Sequence, residues 1–294
     1  MNGSPVKKRL LINTALFAVV AALLLVIWIS PEQQQQKRLP GLDADTVNQI
    51  RIEREGMDTV VIRKTGNNWQ MTEPVNVPAS PFRVNSILNI ALTTSHANYA
   101  LSDVDPAELG LAKPLVILYL NKLKISFGGI DPIDERRYTE FNGRVYLLDD
   151  YTLPLLTQPL TSFIDTRLLP EQLQVTAFKL PDFSIIRNAD NDWQIEPPDT
   201  TLDSAALQEW VDRWLRQRAA KIMYRPQLDT NNGLPVTITL VDHEPLSLLI
   251  INNETFSGIY NARQELAYAI GEDALTLLSG KPTHKTAAAN NLLE

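Results

Sequence analysis

Asn67-Asn68-Trp69-Gln70, followed by Pro74, returns as Asn191-Asp192-Trp193-Gln194, followed by Pro198. This pair decides the fold, because a nearly constant displacement relates a whole series of landmarks. Ile62-Arg63 is echoed by Ile186-Arg187, Ser80 by Ser204, and Gly110-Leu111-x-x-Pro114 by a shortened Gly233-Leu234-Pro235. Tyr138 and Tyr146 reappear as Tyr260 and Tyr268, and Leu155-Leu156 as Leu277-Leu278. The order is kept while the displacement drifts only from about 124 to about 121, which marks an internal duplication. The expected copies are residues 44–170 and 171–280, with a small polar tail at 281–294.

Each copy reads as strands around one main helix. Ile50–Glu53 and Thr59–Arg63 are strand-like, as are Val175–Leu180 and Ser184–Arg187. The Asn-containing turns suit left-handed or Asx geometry, and the Trp-bearing strands follow them. Ser80-Pro81 then forms an N-cap and first-turn pair, with Val84, Ile87, Leu88 and Ala91 on one apolar stripe. Leu207, Trp210, Val211, Trp214 and Leu215 trace the matching stripe. Four further strands close each copy: Leu115–Leu120, Leu123–Phe127, Arg137–Phe141 and Arg144–Leu148, then Val236–Leu240, Leu246–Ile251, Phe256–Asn261 and Glu265–Ile270. Short helices follow near Leu153–Leu160 and Ala274–Leu278. Such runs of strands without strict strand–helix alternation predict an α+β fold with antiparallel sheets.

Ahead of the repeats, Leu10 to Ile29 is free of charge, and Lys7, Lys8 and Arg9 precede it. About 20 apolar residues match the roughly 30 Å thickness of a hydrocarbon core. The predicted organisation is a cytoplasmic stub at 1–9, a signal anchor at 10–29 and a polar juxtamembrane linker at 30–43. Leu10, Phe17, Leu24 and Trp28 mark the anchor, with Trp28 at the far headgroup level. A cleaved signal peptide fits less well, because the run is long and ends in Trp28-Ile29-Ser30-Pro31. Removing the three N-terminal cations from the net charge of −7 leaves about −10 on the portion beyond the anchor. A pI near 5.1 argues against nucleic acid as a partner.

Catalytic constellations are missing from the sequence. The chain contains no cysteine, and His96, His243 and His284 have no metal-ligand spacing. It also lacks a P-loop, a GxGxxG and a GxSxG elbow. Asp131, Asp134, Glu135, Arg136 and Arg137 form the densest charge cluster and read as a solvated loop. Asp149-Asp150 and Glu272-Asp273 precede short helices, where carboxylates favour the N-terminal dipole end. Trp69 and Trp193 read as fold markers together with Tyr138, Tyr146, Tyr260 and Tyr268. Trp210 and Trp214 fall on the core stripe; with Arg213 beside them, a partner-facing aromatic surface is the alternative.

Asn68-Trp69-Gln70, Gly110-Leu111-Ala112-Lys113-Pro114 and the Tyr138–Tyr146 spacing resemble the family of domain of unknown function 4340 (DUF4340), over roughly Leu39 to Leu278. The resemblance implies a membrane-anchored periplasmic protein linked to auxiliary components of gliding-motility-type ABC transport systems. It attributes no catalytic residues. The expectation is therefore a non-enzymatic, single-pass accessory or scaffold subunit in a bacterial inner membrane, N-terminus cytoplasmic and C-terminal domains periplasmic. Its expected partners are the bilayer, through residues 10–29, and integral membrane subunits; no cofactor is expected. The alternative is a binding module for a small molecule, lipid or glycan in the groove between repeats.

Overall fold

The computed structural model describes residues 13–21, 37–38, 43–171 and 173–283. Leu10, Leu24 and Trp28 of the expected anchor, and His284, lie outside the described residues. Residues 13–21 are helical (α1) and expose Leu16, Phe17, Val19 and Val20. Among the described residues, no helix is long and apolar enough to cross a membrane.

The β-rich part opens with a two-residue strand, β1 (Lys37–Arg38). The first unit then runs through β2 (Gln49–Arg54), β3 (Val60–Thr65), β4 (Asn68–Glu73), β5 (Val77–Pro78) and helix α2 (Pro81–Leu88). It continues through β6 (Thr94–Ser95), β7 (Asn98–Ala100), β8 (Val116–Leu120), β9 (Leu123–Ile130), β10 (Arg137–Phe141), β11 (Arg144–Leu148) and α3 (Thr152–Leu156). The second unit comprises β12 (Val175–Lys179), β13 (Ser184–Arg187), β14 (Trp193–Glu196), α4 (Ser204–Arg216), β15 (Lys221–Tyr224), β16 (Leu234–Leu240), β17 (His243–Asn252), β18 (Ser257–Asn261), β19 (Leu266–Ala269) and α5 (Glu272–Ser279).

Apart from the edge strand β5, which has no counterpart in the second sheet, the two sheets share one strand order. The first is β5-β4-β3-β2-β8-β9-β10-β11-β7, and the second is β14-β13-β12-β16-β17-β18-β19-β15. In each, a short strand beyond the main helix crosses to the far edge, β7 beside β11 and β15 beside β19. Neighbours pair antiparallel throughout, for example β2 with β8 and β12 with β16. The expected α+β architecture with antiparallel sheets is what the chain forms.

Register corrects several of the sequence correspondences. Ile62 lies opposite Met71, and Ile185 opposite Ile195, all four buried, so Ile62-Arg63 corresponds to Ile185-Ile186 rather than Ile186-Arg187. The Trp correspondence stands: Trp69 faces Lys64 and Trp193 faces Arg187 across equivalent hairpins. In both, the cation lies over the indole, at 5.9 Å and 5.4 Å. Between Val61 and Ile62 the first unit carries a register shift against β4 that the second lacks, which removes one residue from the displacement. Downstream, the cis prolines are therefore Pro74 and Pro197, not Pro198. The helix caps are likewise Ser80 and Asp203, not Ser204.

The tyrosine pairs match only by half. β10 and β11 close at Phe141↔Arg144 around Asn142-Gly143, both at positive φ (51° and 71°) as a tight primed hairpin turn requires. β18 and β19 close at Asn261↔Leu266 across a longer loop. Equating the closing pairs places Tyr146 on Tyr268, both buried, but Glu140 on Tyr260. The Gly-Leu-Pro echo diverges too: Gly110 is a left-handed turn residue (φ 67°) whose missing Cβ leaves room for Gly129 N, whereas Gly233-Leu234-Pro235 leads directly into β16.

The helices bury the stripes expected of them. Val84 and Ile87 of α2, and Leu207, Trp210, Val211 and Trp214 of α4, are in the core. Asp203 caps α4 by accepting from Ala206 N at 2.8 Å, and Arg213 and Arg216 sit near the negative dipole end. Trp210 and Trp214 are 1% and 0% exposed, which removes them as a partner surface. Their indole N–H groups donate to Gly280 O (2.8 Å) and Leu278 O (3.2 Å), tying α4 to the end of α5. Phe178 packs edge-on to Trp210 with centroids 5.2 Å apart, and Trp214 lies 5.5 Å away. The third residue of the expected surface, Arg213, pairs with Glu209 at 2.8 Å one turn earlier.

One hydrophobic core runs through both units by way of Phe163, Ile164, Leu168 and Leu169. Removing a large aromatic from its densest part leaves a cavity, so Trp214→Ala should cost about 3–5 kcal/mol in chemical denaturation. Asp203→Ala should cost about 1 kcal/mol by loss of the cap alone. A Trp214→Ala variant as stable as the parent would contradict this core.

Candidate partner-binding groove between the two sheets

The segment joining the units is pinned on both sides, with isolated bridges Ala79↔Ile164 to the first unit and Arg167↔Arg218 to the second. On the first unit, Ser80 N donates to Phe163 O (2.8 Å) and Asp165 N to Pro78 O (2.9 Å). On the second, Leu168 N donates to Gln217 O (3.0 Å) and Ala219 N to Thr166 O (2.8 Å). Beyond Ala219, the joining chain forms the 3-10 turn Leu160–Phe163, which packs beside β15. An open groove of about 770 Å³ begins there. Its walls are Arg54, Gly56, Met57, Asp58 and Pro159 to Thr161 from the first unit, and Ile222, Met223 and Tyr224 from the second.

β15 is the last strand of its sheet, so its outer edge borders this groove. Arg225 N donates to Glu265 O at 2.8 Å, and alternation along an antiparallel ladder then turns the main-chain groups of Ile222 and Tyr224 away from β19. An edge with outward-facing N–H and C=O groups is chemically competent to take up an extended segment.

Arg54 forms the buried end of the groove, 7% exposed. Its guanidinium donates to Gln158 O (2.6 Å), Leu156 O (3.4 Å) and Asp58 O (2.7 Å), and its Nε has no partner. Leu156 ends α3 and Gln158 follows its C-cap Thr157, so the cation meets the negative dipole end of that helix. Burial pulls the Arg54 pKa down, and Asp58 opposes that pull. Sequence reading missed Arg54, because the carbonyls that hold it come from about 100 residues downstream.

The other acidic groups singled out in the sequence serve as local structure. Asp131 accepts from Tyr138 Oη (2.9 Å) and Asp134 N (2.9 Å), and these hydrogen bonds lower its pKa. The cluster thus splits: Asp134 pairs with Arg136, while Arg137 is buried and joins Asp150 at 2.7 Å. The sequence expectation that Asp149 and Asp150 cap α3 is corrected: they pair with His96 (3.0 Å) and Arg137, and Tyr151 stands at the N-cap without a side-chain capping bond. Glu272 and Asp273 do occupy the first turn of α5. Among the described residues no group of three His, Cys, Asp or Glu is placed to hold a metal.

The sequence signature of the domain of unknown function DUF4340 matches residues 69–226, just over half of the chain. The chain belongs to the DUF4340 family. No curated protein matches it, and neither does any solved structure. The DUF4340 match runs from the Trp69 strand of the first unit to the end of β15, so it encloses the joining segment and most of the groove.

Two perturbations report on this arrangement. Arg54→Met should cost about 2 kcal/mol in denaturant unfolding, by leaving the carbonyls of Gln158 and Asp58 without their charged donor. An unchanged midpoint would show that the guanidinium does not hold the groove wall. At alkaline pH, burial raises the Tyr268 phenol to about 12, and burial together with Asp131 raises Tyr138 to about 12. Folded values above the unfolded value near 10 mean that these protons stabilise the fold below pH ~10. That contribution is lost as pH rises towards about 12, so tyrosinate absorbance and unfolding should rise together there. Titration of both phenols near pH ~10 in the folded protein would contradict it.

Proposed function

We propose that this DUF4340 chain is a single-pass, membrane-anchored accessory or scaffold subunit of an envelope complex. In this reading it is associated with an ABC-type transport system and has no catalytic role of its own. The observation that carries the reading is the charge-free run 10–29 behind Lys7, Lys8 and Arg9, whose described part, 13–21, is helical with its apolar side chains exposed. The N-terminus would lie in the cytoplasm of a bacterium and both sheet units in the periplasm. Their equivalent strand order supports an origin by duplication, as the repeated landmarks of the sequence do. Two sheets joined as one body offer a long surface on which membrane subunits assemble.

The groove favours one second reading. About 770 Å³ lies within the usual range for ligand sites, roughly 300–1,000 Å³, so a small molecule, lipid or glycan held between the units is the alternative. The readings separate on purification in mild detergent. The scaffold reading expects the chain in the membrane fraction after alkaline carbonate washing, and integral membrane subunits in fixed stoichiometry with it. Recovery of the chain alone, with a small molecule carried through and seen by native mass spectrometry, would favour the alternative.

A further inference from the structure

We propose that β1 seats the first unit against the lipid surface, with Leu92 and Tyr151 as the contacting side chains; this rests on the membrane-anchor reading above. The chain enters both units in one way. Ahead of the second unit, Arg167 bridges Arg218, just after α4. Ahead of the first, β1 pairs with β6, Lys37 opposite Ser95 and Arg38 opposite Thr94, after α2 and its 3-10 extension Asn89–Leu92. The juxtamembrane segment 30–43 is therefore not a free polar spacer over its whole length, because residues 37–38 are part of the fold.

That pairing sets a short distance. From Ile29, the end of the apolar run, to Lys37 is eight residues, which span at most about 28 Å when fully extended. The β1–β6 pair is therefore held near the bilayer, and β6 begins two residues after Leu92. Leu92 is 43% exposed and Tyr151 is 61% exposed. Tyr151 Oη lies 3.0 Å from Thr93 Oγ1, so the two side chains belong to one patch. A tyrosine ring with its hydroxyl at the headgroup level, beside a leucine, suits the water–lipid boundary.

The charges next to the patch are compatible with that contact. The two carboxylates before Tyr151 are engaged, Asp149 with His96 and Asp150 with Arg137. The net negative charge beyond the anchor selects zwitterionic rather than strongly anionic lipid. The joining segment already shows that such a pairing can fix the position of a unit on its neighbour. Here the neighbour is the bilayer.

The chain contains no cysteine, so single-cysteine spin labels are clean reporters. Full-length Leu92→Cys, Tyr151→Cys, Leu277→Cys and Leu24→Cys would each be labelled and placed in phosphatidylcholine nanodiscs. Collision with oxygen and with a water-soluble nickel chelate is then measured by electron paramagnetic resonance. The expected result at 92 and 151 is raised oxygen collision with lost chelate collision, while 277, exposed on the second unit, keeps full chelate access. The 92 label decides alone if the Tyr151 variant is destabilised. Chelate access at 92 equal to that at 277, with 24 shielded, would overturn the docking and leave the anchor standing. Loss of both oxygen and chelate collision at 92 would mean a protein contact and would also overturn it. Chelate access at 24 would remove the anchor reading, and the docking with it.

Discussion

The structure depends on a few main-chain hydrogen bonds made by the chain between Phe163 and Leu168. Sheets of this kind can be strung on a flexible linker, in which case relative motion is the default. Here the linker is hydrogen-bonded on both faces, to Pro78 and Ser80 on one side and to Gln217 and Ala219 on the other. Phe163, Ile164, Leu168 and Leu169 carry the apolar core through it. Asp165 adds charge at the same place, within 3.9 Å of Arg167 and 3.8 Å of Arg218. Gln264 Nε2 bonds Asn76 O at 2.9 Å, a further contact between the units. The groove exists because this ladder is interrupted. The joining chain pairs as far as Ala219, while its 3-10 turn Leu160–Phe163 lies beside β15 and lines the groove with it.

Much of this was legible because it is local. The stripe Leu207, Trp210, Val211, Trp214 has helical spacing in any context, and all four residues are buried. The alternating strand Val116–Leu120 buries every second side chain, as its sequence indicates. The fold class followed from these elements, and the two Trp-bearing hairpins correctly announced two equivalent sheets.

What escaped was set by pairing between distant residues. β7 and β15 are strands of three and four residues whose partners β11 and β19 lie about 45 residues downstream, and Lys221–Tyr224 has no alternating pattern of its own. One register shift in the first unit and one longer loop in the second displaced Pro198, Ser204 and Tyr260 from their assumed counterparts by one or two residues. In a β-structure a one-residue slip moves a side chain to the other face, so matching letters is a weaker guide than matching register. Arg54 was unreadable for the same reason, as was the pairing of Lys37 and Arg38 with the strand after α2.

The central claim is that the two sheets form one rigid body because the joining segment is hydrogen-bonded on both sides. Residue-resolved amide hydrogen exchange on the full-length chain tests it most directly. The account predicts that the amides of Ser80, Asp165, Leu168 and Ala219 are protected as strongly as those of β2 and β12 within the sheets. Exchange of these four at the rate of the exposed turns, with both sheets still protected, would show two units on a loose linker and would contradict it.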